Sequence, residues 1–224
     1  MRRASILLLA LVILTAFSIA ASKPHAISFG KIFTVKLFLG PTENKSQDIK
    51  IRALMVDGKI KEFTTGETHD ITDELFAVRR AYRVNDTLPD DDKPVTKWKW
   101  QRGGWVLVNR STGRVSQLKL PEFDPYYSEA VWYRDYVAYC GLSENAEKLY
   151  AVVAQLGTRK PVVRAPLGAA TNGDIPESEC ETPVWQRQPM RVTFAPKNGK
   201  PKVSFEVHGR AADLATEPEA KEDD

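Results

Sequence analysis

Short runs of alternating apolar and polar residues, each ended by a turn dipeptide, recur along most of the chain, and no segment carries apolar residues at helical spacing for three turns. That pattern restricts the fold to strands joined by tight connections. Ile49, Ile51, Ala53 and Met55 alternate with their neighbours and meet Asp57-Gly58 before Lys59 to Phe63. A two-residue hairpin turn that matches strand twist needs positive φ at both central positions, which Asp-Gly supplies. The same reading makes a second hairpin of Arg191 to Phe194, the turn Asn198-Gly199, and Val203 to Val207. Between them lie Trp105 to Val108, the turn Ser111-Thr112-Gly113, and Val115 to Leu120. Further on, Tyr136 to Tyr139 breaks at Ser143 to Lys148, resumes as Leu149 to Val153, and is followed by Pro161 to Val163. The best helix candidates, Asp73 to Arg80 and Ser143 to Tyr150, are each about two turns long, too short to be stable without tertiary support.

The strand-turn-strand units are spaced like repeats. Trp105 and Tyr150 head similar units, and Leu54 sits in an earlier one. The segment Trp132-Tyr133-Arg134-Asp135-Tyr136-Val137-Ala138-Tyr139, followed by Ser143-Glu144-Asn145-Ala146-Glu147-Lys148-Leu149-Tyr150, resembles a β-propeller blade of the TolB or YVTN type, in which Ser-x-Asp-Gly-x-Lys-Leu-Tyr joins two strands. Here Asn145-Ala146 stands where Asp-Gly is usual. Val106 to Val115 is similar to the outer hairpin of such a blade. The resemblance covers residues 67–168 and implies an all-β antiparallel meander, propeller-like, with about four small or incomplete blades. It carries no chemistry, since blades of this kind serve unrelated functions. A β-sandwich is the alternative architecture.

Residues 1–22 read as a secretory signal peptide. Arg2 and Arg3 precede an uncharged run from Ile6 through Phe17, and the small residues Ser18, Ala20, Ala21 and Ser22 follow where signal peptidase would cut. An uncleaved N-terminal anchor is the competing reading. Removal of this segment takes the two arginines from 32 Lys plus Arg and none of the 29 Asp plus Glu, which leaves the mature chain near neutrality. Charge therefore supplies no reason to expect nucleic acid as a partner. After signal removal nothing in the sequence is apolar and long enough to span a membrane. The expected organisation is a single β-rich domain over residues 23–208 and a disordered acidic tail over 209–224, where six acids from Asp213 to Asp224 face Arg210 and Lys221 without an aromatic residue.

The two cysteines, Cys140 and Cys180, both belong to the exported part. An even pair in an oxidising compartment points to one disulfide; a buried free thiol at Cys140 is the alternative. Local chemistry is otherwise sparse. The chain has no Gly-x-Ser-x-Gly elbow, no His-Glu-x-x-His, no phosphate-binding glycine loop and no Cys-x-x-Cys pair, and His25, His69 and His208 lie far apart. No metal or cofactor is expected. Thr68-His69-Asp70 reads as a turn with solvated side chains, and Asp86 with Asp90, Asp91 and Asp92 as a solvated acidic loop lacking the glycine of a compact calcium loop. Asn44, Asn85 and Asn109 stand in Asn-x-Ser/Thr sequons.

Aromatic residues are concentrated between positions 98 and 139, interleaved with Lys97, Lys99, Arg102 and Arg134. From this stretch Trp98, Trp100, Tyr126, Tyr127, Tyr133 and Arg134 form the candidate binding set, a platform on which a glycan, an aromatic ligand or an envelope protein would stack. Inward packing of a β core explains the same alternation. Tyr126 and Tyr127, beside Pro125, are the members expected to be most exposed, and Trp132 is expected to be buried. Two functions follow: an exported, non-enzymatic binding or scaffolding module, or a secreted hydrolase, for example glycan-directed, whose carboxylates meet only in three dimensions. Without a local nucleophile the first is preferred. Protein recovered from an exporting host should begin between Ala21 and Lys23 by N-terminal sequencing, and an exported product still beginning at Met1 would refute the signal-peptide reading.

Overall fold

The computed structural model describes residues 24–38, 46–85, 98–170, 178–197 and 199–215. The signal segment, the Asp86 to Asp92 loop, Asn44, Asn198 and the tail beyond residue 215 lie outside the described residues. What is described is all-β, in three sheets. The first has seven strands: β1 (Ile27–Phe29), β2 (Phe33–Phe38), β3 (Ser46–Val56), β4 (Lys59–Asp70), β5 (Leu75–Asn85), β6 (Trp98–Asn109) and β7 (Val115–Leu118). The second is a four-stranded meander of β8 (Val131–Tyr133), β9 (Tyr136–Leu142), β10 (Lys148–Gln155) and β11 (Val163–Ala169). The third is another, of β12 (Val184–Gln186), β13 (Arg191–Phe194), β14 (Val203–His208) and β15 (Ala211–Leu214).

Strands β2 to β6 pair in succession and close on themselves. A ring with an odd number of strands cannot alternate direction throughout, so one pair must be parallel. That pair is β2 and β6, joined at Leu37 and Trp100. Strand β1 extends the ring from β3, and β7 extends it from β6. Leu54, Phe76, Val78, Val106 and Val108 make a buried cluster against Ile27, Phe29 and Val115, so the two appended strands cover a core of their own. This first sheet replaces the repeated blades expected over residues 67–168: Val106 to Val115 is a hairpin, but it belongs to a closed ring. The segment from Trp132 to Tyr150 supplies β8, β9 and the start of β10, three of the four strands of the second sheet, which is a meander of blade size.

The second and third sheets share one core. Ala138, Cys140, Leu149, Ala151 and Val153 of β9 and β10 pack with Val192, Phe194, Phe205 and Val207 of β13 and β14. Cys140 and Cys180, both buried, are joined there by a disulfide with a Cα separation of 6.3 Å, which ties β9 to the segment that leads into the third sheet. Closing a 40-residue loop restricts the unfolded chain by about 4 kcal/mol in the entropic description. The opposite face of the second sheet, with Val137, Tyr139, Tyr150 and Val152, is covered by Leu120, Phe123 and Ala130 of the connection from β7 to β8 and by Trp132 of β8. The second sheet is thus apolar on both faces, which explains its nearly continuous buried run from Tyr136 to Gly141.

Turn chemistry accounts for where strands end and for several corrections. Asp57 and Gly58 adopt φ of 51° and 73°, the expected hairpin turn. The second Asn-Gly hairpin exists as strands, but its turn is longer than two residues. Phe194 pairs with Val203, and residues 195–197 turn their backbone toward 179–181 instead, through Glu181 N to Ala195 O (2.9 Å) and the Cys180–Pro196 bridge. Neither helix candidate is helical. Leu75 to Arg80 belongs to β5, whose cross-strand pairing with β6 outweighs a two-turn helical propensity, and Ser143 to Tyr150 is the β9–β10 turn followed by strand. Part of the stretch expected as a disordered tail is a strand. Ala211 to Leu214 pair with Phe205 to His208 as the last strand, since backbone hydrogen bonds at a sheet edge need no apolar side chains.

Ala146 has φ of 55°, a left-handed conformation that glycine adopts without steric penalty. Ala146 N bonds Ser143 O at 2.8 Å, and Asn145 Oδ1 lies 2.7 Å from the Ser143 hydroxyl, so the turn is held in spite of the missing Asp-Gly. The left-handed region costs an L-residue about 1–2 kcal/mol, and glycine adds back about 0.5–1 kcal/mol of unfolded-state entropy. Ala146→Gly is therefore expected to stabilise the protein by about 0.5–1 kcal/mol, read as a higher urea midpoint with unchanged slope; a lower midpoint would refute the strain.

Candidate functional site

The antiparallel pairing of β5 with β6 sets Arg83 opposite Trp100 and Asn85 opposite Trp98. Alternate residues share a face, so Trp98, Trp100 and Arg83 stand together. The Arg83 guanidinium lies over the Trp98 ring, 4.8 Å from its centroid, a diagonal cross-strand contact. Trp98 remains 52 % exposed. Behind it Trp100 is half-buried, and its ring meets Phe63 at 5.2 Å and Phe33 at 6.1 Å, both edge to face. Phe33 itself is exposed. The result is a partly solvated indole with a cation over its ring, on the same strand face as the Trp100–Phe63–Phe33 cluster.

The other candidates stand elsewhere. Tyr127 is buried at 5 % exposure and Tyr126 is half-buried, which corrects the expectation that this pair is the most exposed. The reason is an Asx turn: Asp124 Oδ1 accepts from the amides of Tyr126 (2.7 Å) and Tyr127 (3.0 Å) and folds the connection inward. The Tyr127 hydroxyl then accepts the Glu179 amide at 3.0 Å, while burial pushes its pKa up to about 12. Burial, with Tyr82 as neighbour and hydrogen-bond partner, does the same to Tyr126.

Tyr133 and Arg134 form a third location at the β8–β9 turn. Arg134 lies over the Tyr133 ring (5.4 Å), and Tyr133 packs on Trp185 of β12 (5.6 Å). Trp185 Nε1 donates to the Val131 carbonyl at 3.1 Å, so this cluster ties the second sheet to the third. His69 is not a solvated turn residue. It lies in β4, donates from Nε2 to the Arg134 carbonyl at 2.7 Å and stacks on Trp132, which also meets Trp105 edge to face. The six candidates thus occupy three separate places, and only the Trp98–Trp100 place combines an exposed ring with a bracing cation. Its partners Arg83, Phe33 and Phe63 escape sequence reasoning. The signal was present in the alternation of Ala81, Arg83 and Asn85, but it becomes legible only once residues 75–85 are a strand.

A groove of about 830 Å³ beside the connection gathers Glu122, Asp124, Glu144 and Arg164. Two of its carboxylates are structural: Glu122 pairs with Arg164, and Asp124 holds the Asx turn. Among the described residues no cluster of three His, Cys, Asp or Glu side chains is placed to hold a metal ion, and no helix is long and apolar enough to cross a membrane. No known family model, curated protein or solved structure matches this chain. The tyrosines offer a direct check. An unfolded phenol ionises near pH 10, so between about pH 10 and 12 the folded chain holds protons on Tyr126 and Tyr127 that the unfolded chain has lost. Their contribution to stability is complete below pH 10 and disappears as pH rises through 12. Phenolate absorbance should show a late-titrating class that Tyr127→Phe reduces, and Tyr127→Ala should cost about 3–5 kcal/mol in chemical unfolding; ordinary titration of every tyrosine would refute the buried placement.

Proposed function

We propose that this chain is an exported, non-enzymatic binding or scaffolding module that takes a glycan or an envelope protein on the Trp98–Arg83 platform. The observation that carries the reading is the exposed indole of Trp98 held against Arg83 at 4.8 Å. An unbraced surface tryptophan gains nothing from solvent, whereas one held flat presents a large rigid face at little conformational cost to a ligand. The C–H face of a sugar ring or an aromatic side chain stacks on such a surface, and Arg83 adds a donor for a hydroxyl or carboxylate at its margin. The Cys140–Cys180 disulfide is consistent with a place outside the reducing cytoplasm, as is the signal-like N-terminal segment.

Retention on an immobilised glycan panel and on solubilised envelope proteins tests this directly. Trp98→Ala and Arg83→Ala should each weaken capture about tenfold or more while shifting chemical stability by no more than about 0.5 kcal/mol, the range for exposed positions. Equal retention by wild type and Trp98→Ala across both panels would overturn the assignment of the platform. Hydrolysis of a panel glycan by the wild-type protein would overturn the non-enzymatic reading.

A further inference from the structure

Among the described residues six large apolar side chains are exposed, and four of them gather at one end of the ring in the first sheet: Ile32, Phe33, Ile60 and Trp98. Strands β2 and β6 are parallel, and β4 is antiparallel to both β3 and β5, so β2, β4 and β6 all run the same way. Their first residues therefore share an end. Phe33 opens β2 with Ile32 just before it, Ile60 is the second residue of β4, and Trp98 opens β6. Register also sets the faces. Ile60 pairs with Met55 and Phe63 with Ala53, and alternate residues of β3 point the same way, so Ile60 stands outward of Phe63 on one face. Phe63 meets Phe33 at 6.3 Å and Trp100 at 5.2 Å although a strand lies between each pair, so this face is the inside of the ring. Three rings fill the ring there, and the exposed apolar tips stand beyond them.

Lysines adjoin these tips in the chain. Lys31 precedes Ile32 and Phe33, Lys59 and Lys61 flank Ile60, and Lys99 follows Trp98. Lys31, Lys59 and Lys61 are exposed. The acids nearest Ile60 in the chain are engaged, Asp57 with His25 and Glu62 with Arg80, so the rim carries positive charge. Val184 and Leu214, the other two exposed apolar side chains, lie on the third sheet and adjoin no lysine. The pairing of apolar tip and lysine is thus a property of this one end. A protein interface is a poor match for it, because lysine is depleted from the core of such interfaces. The boundary of a bilayer is a good one: apolar tips reach the acyl chains, ammonium groups stay level with the phosphates, and an indole takes the depth between.

We propose that this end of the ring docks on an anionic phospholipid surface, with Ile32, Ile60 and Trp98 at the acyl-chain boundary and Lys31, Lys59 and Lys61 on the lipid phosphates. Attachment is peripheral and no strand crosses the bilayer. Ile32 and Ile60, 61 % and 58 % exposed, have surface to bury on contact without any rearrangement of the ring. A few apolar side chains and a few charges each contribute modestly, which makes the attachment reversible and dependent on both anionic lipid and salt. Such docking goes beyond the platform reading: it shares Trp98 with the platform, while Ile32 and Ile60 serve the lipid contact alone.

The test is co-sedimentation of the exported, disulfide-bonded protein with vesicles of phosphatidylcholine alone and of phosphatidylcholine mixed with phosphatidylglycerol. Binding should favour the mixed vesicles and weaken as sodium chloride is raised. Ile32→Ser and Ile60→Ser should each weaken it about tenfold, and Lys59→Gln and Lys61→Gln about fivefold apiece. Val184→Ser, the exposed apolar control on the third sheet, should bind as the wild type does. All of these variants keep the same N-terminus and alter an exposed side chain, so an unchanged chemical unfolding midpoint should accompany each. No sedimentation with the mixed vesicles, equal binding to both compositions, or binding that survives the Ile32→Ser/Ile60→Ser double variant would each overturn the proposal. So would loss of envelope-protein retention in Ile60→Ser, the mark of a protein partner at this end. Ile60→Ser should instead leave retention on the glycan and envelope-protein panels intact, so failure of the lipid contact and failure of the platform are read separately.

Discussion

The arrangement of the sheets depends on one buried cation. Arg79 of β5 is 7 % exposed, and every part of its guanidinium is engaged. Nη1 donates to Glu129 Oε2 at 3.0 Å, Nη2 to the carbonyls of Pro125 (2.7 Å) and Ser128 (3.2 Å), and Nε more weakly to Gly103 at 3.4 Å. Burial lowers its pKa to about 10, against the attraction of Glu129, so it stays charged at neutral pH. Arg102 reaches the other oxygen of Glu129 at 2.5 Å. Apart from Gly103 of β6, the acceptors belong to the connection between the first and second sheets, a stretch without regular structure whose carbonyls have no ladder to join. A charge-assisted network of this kind contributes little net energy against an apolar replacement, yet removing one partner leaves buried groups unpaired, at a cost of about 3–5 kcal/mol. Its consequence is positional: the connection is held where Leu120, Phe123 and Ala130 can cover the second sheet.

From that fixed connection the other features follow in order. With one face covered by the connection, the second sheet offers its other face to the third, and the Cys140–Cys180 disulfide lies inside the shared core. Trp185 on the Val131 carbonyl and the Tyr136 hydroxyl on the Gly209 carbonyl (2.9 Å) close the same contact at its margins. Aromatic residues in this half of the molecule are therefore engaged in joining layers. Those at the far end of β6 are different. Among the described residues Trp98 keeps about half of its surface exposed and lies diagonally against Arg83 of the neighbouring strand.

Strand positions were largely legible in the sequence, because a strand ends where its turn chemistry ends it. Asp57-Gly58, Ser111-Thr112-Gly113 and the Ser143 to Lys148 break all separate strands as their residue types imply. The failures share a cause. Leu75 to Arg80 has a local pattern that suits either a short helix or a strand, and pairing with β6 decided it. After Phe194, residues 195–197 bond to residues 179–181, partners distant in sequence. Tyr126 and Tyr127 look like exposed loop aromatics until Asp124 caps their amides and Glu179 meets the Tyr127 hydroxyl.

By itself the sequence determined the all-β class, most hairpins and the pairing of the only two cysteines, since each depends on residue type and short-range backbone geometry. The tertiary structure alone decided that β2 to β6 close into a ring with one parallel pair, that Arg79 anchors the inter-sheet connection, and which aromatic residues stay in solvent. Alternation along a strand says that two residues share a face. It does not say what packs against that face, because burial is set by contacts between segments whose separation in sequence carries no periodic signal.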